Sequence, residues 1–362
     1  MTPGYSKYNS GLGWCKTIAP IDMVKPEFRD TLASILEASF ARNSWKQFAS
    51  ICKKIKSLES LFNIDLSFPW SISSTMNFIL ACGEQNLQVS SIKVYLSKVK
   101  SVHMMLNVSW PESYWIQLIL RGMANSKNQK KKPRRAATVD VMRQLKERLI
   151  SSSYSLQQKR LFWLAVSLMF SGCLRGSEVL CSSESKFSPL ETLLNEDVNL
   201  STVFVNGKSH RVLTLNLKNT KEVKGPGVTV IELFETGNFY CPVAAYRKFI
   251  LDVGLADSKQ PLLQLKGKGL TTEALNRALK TLLSGVVDSI TTHSFRAGFV
   301  TSLVRAGASD EIIQAAGRWS SEAYRLYMKQ NKINRIRDMQ SMSEKLSVLA
   351  KSWKPGAILI RE

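Results

Sequence analysis

The chain has 362 residues, enough for two domains of ordinary size, and its 44% hydrophobic and 22% charged residues are typical of a globular protein. Its 50 Lys and Arg against 28 Asp and Glu give a net charge of +22, which favours a polyanionic partner, either nucleic acid or an anionic membrane. The sequence has no apolar run of about 18 residues and no apolar signal core at its start, so we expect neither a membrane span nor secretion.

The first part of the chain is predicted to be an arm followed by an all-helical domain. Residues 1–24 contain Gly, Pro and Ser with little periodicity and are predicted to form an N-terminal arm. Apolar residues recur at helical spacing over residues 25–125, which predicts a small helical bundle. Within it, Pro69 interrupts the chain, and Ser73 or Ser74 is expected to cap the helix that follows.

A basic segment, residues 126–137, is predicted to be an extended linker. It has no apolar side chain up to Arg135 apart from the ring of Pro133, and this proline disfavours helix at the residue before it. Two interpretations stay open, a solvated connector or a linker that crosses a DNA backbone, and a nuclear-import signal is compatible with both. The candidates for contact with the DNA backbone are Lys130, Lys131, Lys132, Arg134 and Arg135.

Residues 138–345 are predicted to form a mixed domain. Thr138 is expected to open a helix, and the apolar run from Leu161 to Phe170 predicts a buried helix that ends at Gly172. β-branched and alternating segments then predict a small antiparallel sheet with strands at residues 203–205, 212–217 and 228–231.

Helices are expected to resume after the sheet. Two are predicted at residues 242–251 and 272–283. A third is expected to start at the His293 segment, and a fourth is expected to be capped by Ser309. Ser320 or Ser321 should begin a helix that carries two tyrosines, and the tail at residues 346–362 is expected to contact another subunit. The predicted fold class is mainly α with a small antiparallel β-sheet, as a helical N-terminal domain followed by a mixed α/β domain.

Several side chains in the second domain suit chemistry on a phosphodiester. Arg175 follows a buried helix, and Glu178, three residues on, can hold its guanidinium. His293 and Arg296 share a helical face, so the arginine can bind phosphate oxygens while the imidazole moves a proton.

Two tyrosines, Tyr324 and Tyr327, share a later helical face. An aromatic pair at this spacing is more often part of a core, and the alternative is that it supplies an oxygen nucleophile. A tyrosine nucleophile needs nearby cations because its free pKa is about 10. The six cysteines and three histidines show no metal-ligand spacing, and there is no paired-acid motif for magnesium. The sequence therefore predicts no metal site, with a histidine-rich site excluded and a carboxylate-only magnesium site left open.

Along the chain, an arginine, a hairpin lysine, an HxxR motif and a tyrosine follow one another. In this order and spacing, roughly residues 138 to 340 resemble the tyrosine recombinase (integrase) family. The segments from His293 to Arg296 and from Gly317 to Tyr327 are most similar to the Crypton and DIRS recombinases of eukaryotic mobile elements. This resemblance implies a helical core-binding domain at residues 25–125 that clamps DNA together with a catalytic domain at residues 138–345.

The resemblance also implies a role for each motif residue. Arg175 and Arg296 become the two phosphate clamps, Glu178 the acidic neighbour of the first, and His293 the proton carrier. Tyr327 becomes the nucleophile, at the family's usual interval from the histidine, whereas Tyr324 comes too early and is expected to pack.

A lysine on the hairpin after the second strand is implied to protonate the leaving 5′ oxygen. Lys221 matches it, and its neighbours Lys218 and Lys224 are further candidates for the DNA backbone. The chain departs from the family where His or Trp is usual, about nine residues before the nucleophile. Arg318 stands there and Trp319 is adjacent, and both stay candidates because each can donate a hydrogen bond to a phosphate.

The implied activity is site-specific recombination or transposition through a 3′-phosphotyrosyl intermediate without a cofactor. The implied partners are double-stranded DNA with inverted-repeat half-sites and further copies of the chain, two on a site and four in a synapse. An intracellular location follows, nuclear in a eukaryotic host. The alternatives are a type IB topoisomerase-like enzyme and a domesticated DNA-binding protein without catalysis. A membrane-peripheral protein is disfavoured because no strongly amphipathic basic helix is present.

Overall fold

The structure is a computed structural model that describes residues 24–39, 42–126, 135–218, 220, 227–254, 257–287, 289–319 and 321–325. The predicted arm, apart from its last residue, and the predicted tail at residues 346–362 lie outside these ranges. The chain divides into two compact units with their boundary between Lys131 and Lys132. No helix within the described ranges is long and apolar enough to cross a bilayer.

The first unit is helical, as predicted. After a 3-10 turn at Pro26–Phe28, its helices in the described ranges are α1 Arg29–Ser39, α2 Arg42–Phe62, α3 Ile72–Glu84, α4 Val89–Met105 and α5 Tyr114–Ser126. Apolar residues three and four apart on α2 to α5 form one buried core. Ile51, Phe78, Ile92 and Leu120 belong to it.

The cap of α3 differs from the prediction. Ser71, rather than Ser73 or Ser74, precedes the helix, and its Oγ accepts a hydrogen bond from the main-chain N–H of Ser74 at 3.0 Å. The chain enters the helix earlier than expected because Trp70 is buried and its indole Nε1 donates to the carbonyl of Leu66 at 2.8 Å.

A buried histidine fastens two loops of this unit together. His103 is 0% exposed, and its Nε2 accepts from the main-chain N–H of Trp70 at 3.2 Å while Nδ1 lies 2.9 Å from the carbonyl oxygen of Ser109. These contacts suit the neutral ring with its proton on Nδ1. Burial lowers the pKa of His103, and the bond to Ser109 only partly offsets this.

The second unit combines helices with two small sheets. The helices in its described part are α6 Val139–Ser151, α7 Leu156–Ser171, α8 Gly176–Val179, α9 Pro242–Val253, α10 Thr272–Leu282, α11 Thr292–Arg305 and α12 Asp310–Gly317. The strands are β1 Val198–Val205, β2 Lys208–Leu217, β3 Thr229–Phe234, β4 Gln264–Leu265 and β5 Lys268–Gly269. The first three form an antiparallel sheet in the order β1-β2-β3, and the last two pair with each other. The predicted fold class is confirmed.

The buried helix α7 is the centre of this unit. Ser155 begins it with a capping box to Gln158, and α9 and α11 pack against it. The helix ends at Gly172, as predicted. This glycine has φ −88°, and the residue in the left-handed conformation is the next one, Cys173, with φ 48°. Glycine is required for close packing instead, since a Cβ at Gly172 would lie 2.8 Å from Cγ of Leu174.

The segment before α6 crosses α11 at very short range. The main-chain N–H of Ala137 donates to the carbonyl of Ser294 at 2.8 Å. A Cβ on Gly298 would lie 1.9 Å from the carbonyl oxygen of Ala137, so only glycine permits this approach. The contact fixes the helix that carries His293 and Arg296.

We expect acid to weaken the first unit through His103. The pKa in the folded state is below the ordinary value of 6.5, so the unfolded chain binds more protons, and stability is lost as pH falls below about 6.5. Urea unfolding followed from pH 7.5 to pH 5 should show a smaller pH dependence in His103→Gln than in the wild type. His210→Gln, on β2, is the control and should keep the wild-type dependence. An equal dependence in all three proteins would contradict the assignment.

Candidate active site

Arg175 stands where the chain leaves the buried helix α7 and begins the short helix α8. It is the residue before Gly176, and its main-chain N–H donates to Oε2 of Glu178 at 2.8 Å. Its Nη1 donates to Oε1 of the same carboxylate, also at 2.8 Å. Glu178 thus holds both the main chain and the guanidinium of Arg175.

The carboxylate of Glu178 also binds a second arginine. Its side chain is 1% exposed, and Oε2 accepts from Nη2 of Arg318 at 2.9 Å, across 140 residues of sequence. A buried carboxylate requires charged partners of this kind because it has lost its hydration. One carboxylate therefore fixes the guanidinium of Arg175 and that of Arg318 in the same small region.

Arg296, on the first turns of α11, is buried next to the helix ends that precede Arg175 and Arg318. It is 1% exposed, and its Nη1 and Nη2 donate to the carbonyls of Cys173 at 2.7 Å and Gly317 at 2.6 Å. Burial lowers the pKa of Arg296, and the charges of Arg175 and Arg318 act in the same direction. An arginine side chain does not lose its proton in folded proteins, so the guanidinium keeps its charge.

Trp319 covers the guanidinium of Arg296, with the ring centroid 4.6 Å from Cζ. The ring lies on Gly317, where a Cβ would approach Cζ3 of the tryptophan to 1.7 Å. Glycine is required at position 317 for this reason. Arg175, Arg296 and Arg318 are called the arginine cluster below.

His293 is half-buried at the start of α11. The preceding Thr292 donates its main-chain N–H to Oδ1 of Asn276 at 2.9 Å. The Thr292 side chain lies close to α8, since a Cβ on Gly176 would be 3.1 Å from the threonine Oγ1. The first turns of α8 and α11, which carry Glu178 and His293, therefore lie side by side.

Tyr324 packs in the interior, as expected. It is 3% exposed, its hydroxyl donates to Oδ2 of Asp310 at 3.0 Å, and its ring lies beside Trp319. It belongs to a small core cluster with Cys173, whose thiol pKa is raised to about 11 by burial. Neither side chain is exposed to a substrate.

The described residues include only part of the predicted site. Tyr327, Lys221 and Lys224 lie outside them, as do Lys130, Lys131, Lys132 and Arg134. Arg135 is exposed at the start of the second unit. Lys218 forms an ion pair with Asp197 at 2.8 Å and lies 3.8 Å from Glu196. The described residues contain no group of three or more His, Cys, Asp or Glu that could bind a metal ion.

Three contributors to the site were not foreseen. The carbonyls of Cys173 and Gly317 orient Arg296, and Asn276 fixes the start of α11. Main-chain acceptors have no signature in a sequence. The glycine before Arg318 was the one available signal, because a glycine at a helix end permits close approach of another group.

Loss of the Glu178 charge should destabilise the second unit. Glu178→Gln leaves buried guanidinium groups without their counter-charge, and we expect the free energy of unfolding to fall by about 3 kcal/mol. Glu147→Gln, on the exposed face of α6, is the control and should change stability by less than about 0.5 kcal/mol. Chemical denaturation of both variants measures this, and equal stability of the two would contradict a bridging role.

Solved structures of DNA-bound recombinases and integrases share this fold. The Tn1549 transposon integrase in complex with circular intermediate DNA has a TM-score of 0.52 at 14% identity, over 83% of this chain and 94% of that chain. The XerH site-specific recombinase in a post-cleavage complex with a palindromic difH substrate has a TM-score of 0.56 at 16% identity, over 94% and 89% of the two chains. No protein-family model and no curated protein matches the sequence. The chain therefore has the fold of these recombinases and integrases, mainly α with a small antiparallel sheet.

Proposed function

We propose that this chain is a site-specific DNA recombinase or transposase that cuts and rejoins strands through a 3′-phosphotyrosyl intermediate. The observation that carries the proposal is the arginine cluster: Arg175 and Arg318 bind the carboxylate of Glu178, and the buried Arg296 lies near enough for their charges to lower its pKa. Such an excess of fixed positive charge suits a phosphodiester. The fold shared with DNA-bound recombinases and the net charge of +22 support double-stranded DNA as the substrate.

In the proposed reaction, the hydroxyl oxygen of Tyr327 attacks the scissile phosphorus. The bond from phosphorus to the tyrosine oxygen forms as the bond to the 5′ oxygen breaks. His293 accepts the proton that the tyrosine loses, and Lys221 gives a proton to the departing 5′ oxygen. Arg175 and Arg296 stabilise the negative charge that builds on the non-bridging oxygens.

A 5′ hydroxyl from another strand then reverses the step and releases the tyrosine. The phosphotyrosyl bond conserves the energy of the phosphodiester, so the exchange needs no nucleotide cofactor. We propose inverted-repeat half-sites as the target, with two copies of the chain on a site and four in the synapse. The sequence similarity to Crypton and DIRS recombinases favours a mobile element as the origin and a nuclear location in a eukaryotic host.

Tyr327→Phe should abolish covalent attachment to DNA, because the attacking oxygen is removed. The full-length chain is incubated with a library of nicked duplexes with random sequence, and covalent adducts are counted on denaturing gels. Tyr324→Phe is the matched control and should keep the adduct, since its hydroxyl is bonded to Asp310 in the interior. The freed 5′ ends should accept phosphate from polynucleotide kinase without prior dephosphorylation.

The opposite pattern, an adduct in Tyr327→Phe and none in Tyr324→Phe, would overturn the nucleophile assignment. Relaxation of supercoiled plasmid without recombinant products would favour a topoisomerase-like enzyme. Retention of specific DNA without any adduct would indicate a DNA-binding protein that lacks catalysis.

The basic linker should contribute to affinity through phosphate contacts. Lys131→Ala removes one such contact, and the slope of log K against log salt concentration should fall by about 0.9. Binding of the full-length chain to a fixed duplex at several salt concentrations measures it. A variant that keeps the wild-type slope would show that the linker only connects the two domains.

A further inference from the structure

Arg318 has a backbone conformation that arginine rarely adopts. Helix α12 ends at Gly317, and Arg318 follows it with φ 55° and ψ 45°, in the left-handed region. Glycine is the usual residue in this conformation at a helix end, because a Cβ is strained there. Strain of this kind at a residue other than glycine is typical of functional sites. The turn itself therefore does not explain why the residue is arginine.

The guanidinium of Arg318 is buried but only partly hydrogen-bonded. Its side chain is 15% exposed, and Nη2 donates to Glu178 at 2.9 Å. The Nε and Nη1 atoms are also buried, and neither has a hydrogen-bond acceptor among the described residues. A buried charged donor without an acceptor is strongly destabilising, so these groups are suited to an anion that would accept from them.

The neighbouring side chains of the cluster do not provide an acceptor for these donors. Glu178 already accepts from Arg318 and twice from Arg175. Arg296 donates through both Nη atoms to carbonyls and lies under Trp319. Of these cationic groups, Arg318 is the one whose buried N–H donors are shown to have no acceptor in the described part of the chain.

We propose that Arg318 binds a non-bridging oxygen of the scissile phosphate through Nε or Nη1. The proposal rests on the proposed function and deepens it, since the sequence left the choice between Arg318 and Trp319 open. Trp319 is then a positioning residue that covers Arg296, and Glu178 is a positioning residue that aims Arg318. The strained turn places the guanidinium beside Arg175, where both can face one phosphate.

An arginine at this point differs chemically from a histidine. Its charge is permanent over the physiological range, so it stabilises negative charge on the phosphate without a proton transfer. A histidine with the ordinary pKa of about 6.5 would be mostly charged only below that pH. The pH dependence of the reaction in Arg318→His therefore distinguishes phosphate binding from a purely structural role.

Phosphate binding tests the site without any DNA reaction. Inorganic phosphate should raise the Tm of the full-length wild type more than sodium chloride does at equal ionic strength. Arg318→Met and Arg318→Gly should each weaken phosphate binding by about 10-fold or more, which corresponds to the loss of one charged hydrogen bond. Arg318→Gly suits the left-handed turn, so it tests the side chain in a protein that folds. Arg211→Met, at an exposed position of β2, is the control and should bind phosphate as the wild type does.

Phosphate binding that is unchanged in both Arg318 variants would overturn the proposal. So would a wild type that responds equally to phosphate and chloride.

Covalent adduct formation provides the second measurement. Arg318→Gly should slow it on the order of 100-fold, because a donor aimed at the transition state is lost. Arg318→His should recover part of the rate below about pH 6.5 and lose it above, relative to the pH profile of the wild type.

The two proposals can fail separately. Adducts at the wild-type rate in Arg318→Gly would exclude the role of Arg318 and leave the recombinase function intact. Absence of adducts with every protein, including the wild type, would contradict the recombinase function, whereas the phosphate measurement would still decide the anion site.

Discussion

The candidate active site depends on the buried carboxylate of Glu178. It is 1% exposed and lies between the guanidinium of Arg175 and that of Arg318. A carboxylate that has lost its hydration is stable only with charged partners, and its two partners come from helix ends that are distant in sequence. Electrostatic compensation thus brings the end of α12 against α8 and concentrates positive charge in one small region.

Arg296 has a complementary role beneath this carboxylate. Helix ends leave main-chain carbonyls without partners, and its guanidinium satisfies one at Cys173, after α7, and one at Gly317, in α12. A single buried cation therefore joins three helices and adds its charge to the site. In the proposed reaction, the same side chain that stabilises the fold contributes to binding of the phosphate, with Trp319 shielding it from water.

The sequence predicted the elements well and some of their ends poorly. Apolar runs predicted the buried helix α7, a single helix was predicted to carry His293 and Arg296, and alternation predicted the three-stranded sheet. The cap of α3 was misplaced because the entry of the chain depends on where Trp70 is buried. The turn after α7 lies where the sequence predicts it, but its left-handed residue is Cys173, and Gly172 is instead a site of close packing against Leu174.

The sequence by itself determined the local features: the pairing of Arg175 with Glu178 three residues later, the helical face shared by His293 and Arg296, and the strong positive charge. Only the tertiary structure decided that Glu178 also binds Arg318 and that Arg296 is buried under Trp319. The reason is physical. Periodicity and propensity reflect the backbone over a few turns, whereas contacts between distant helix ends are set by how the whole core packs.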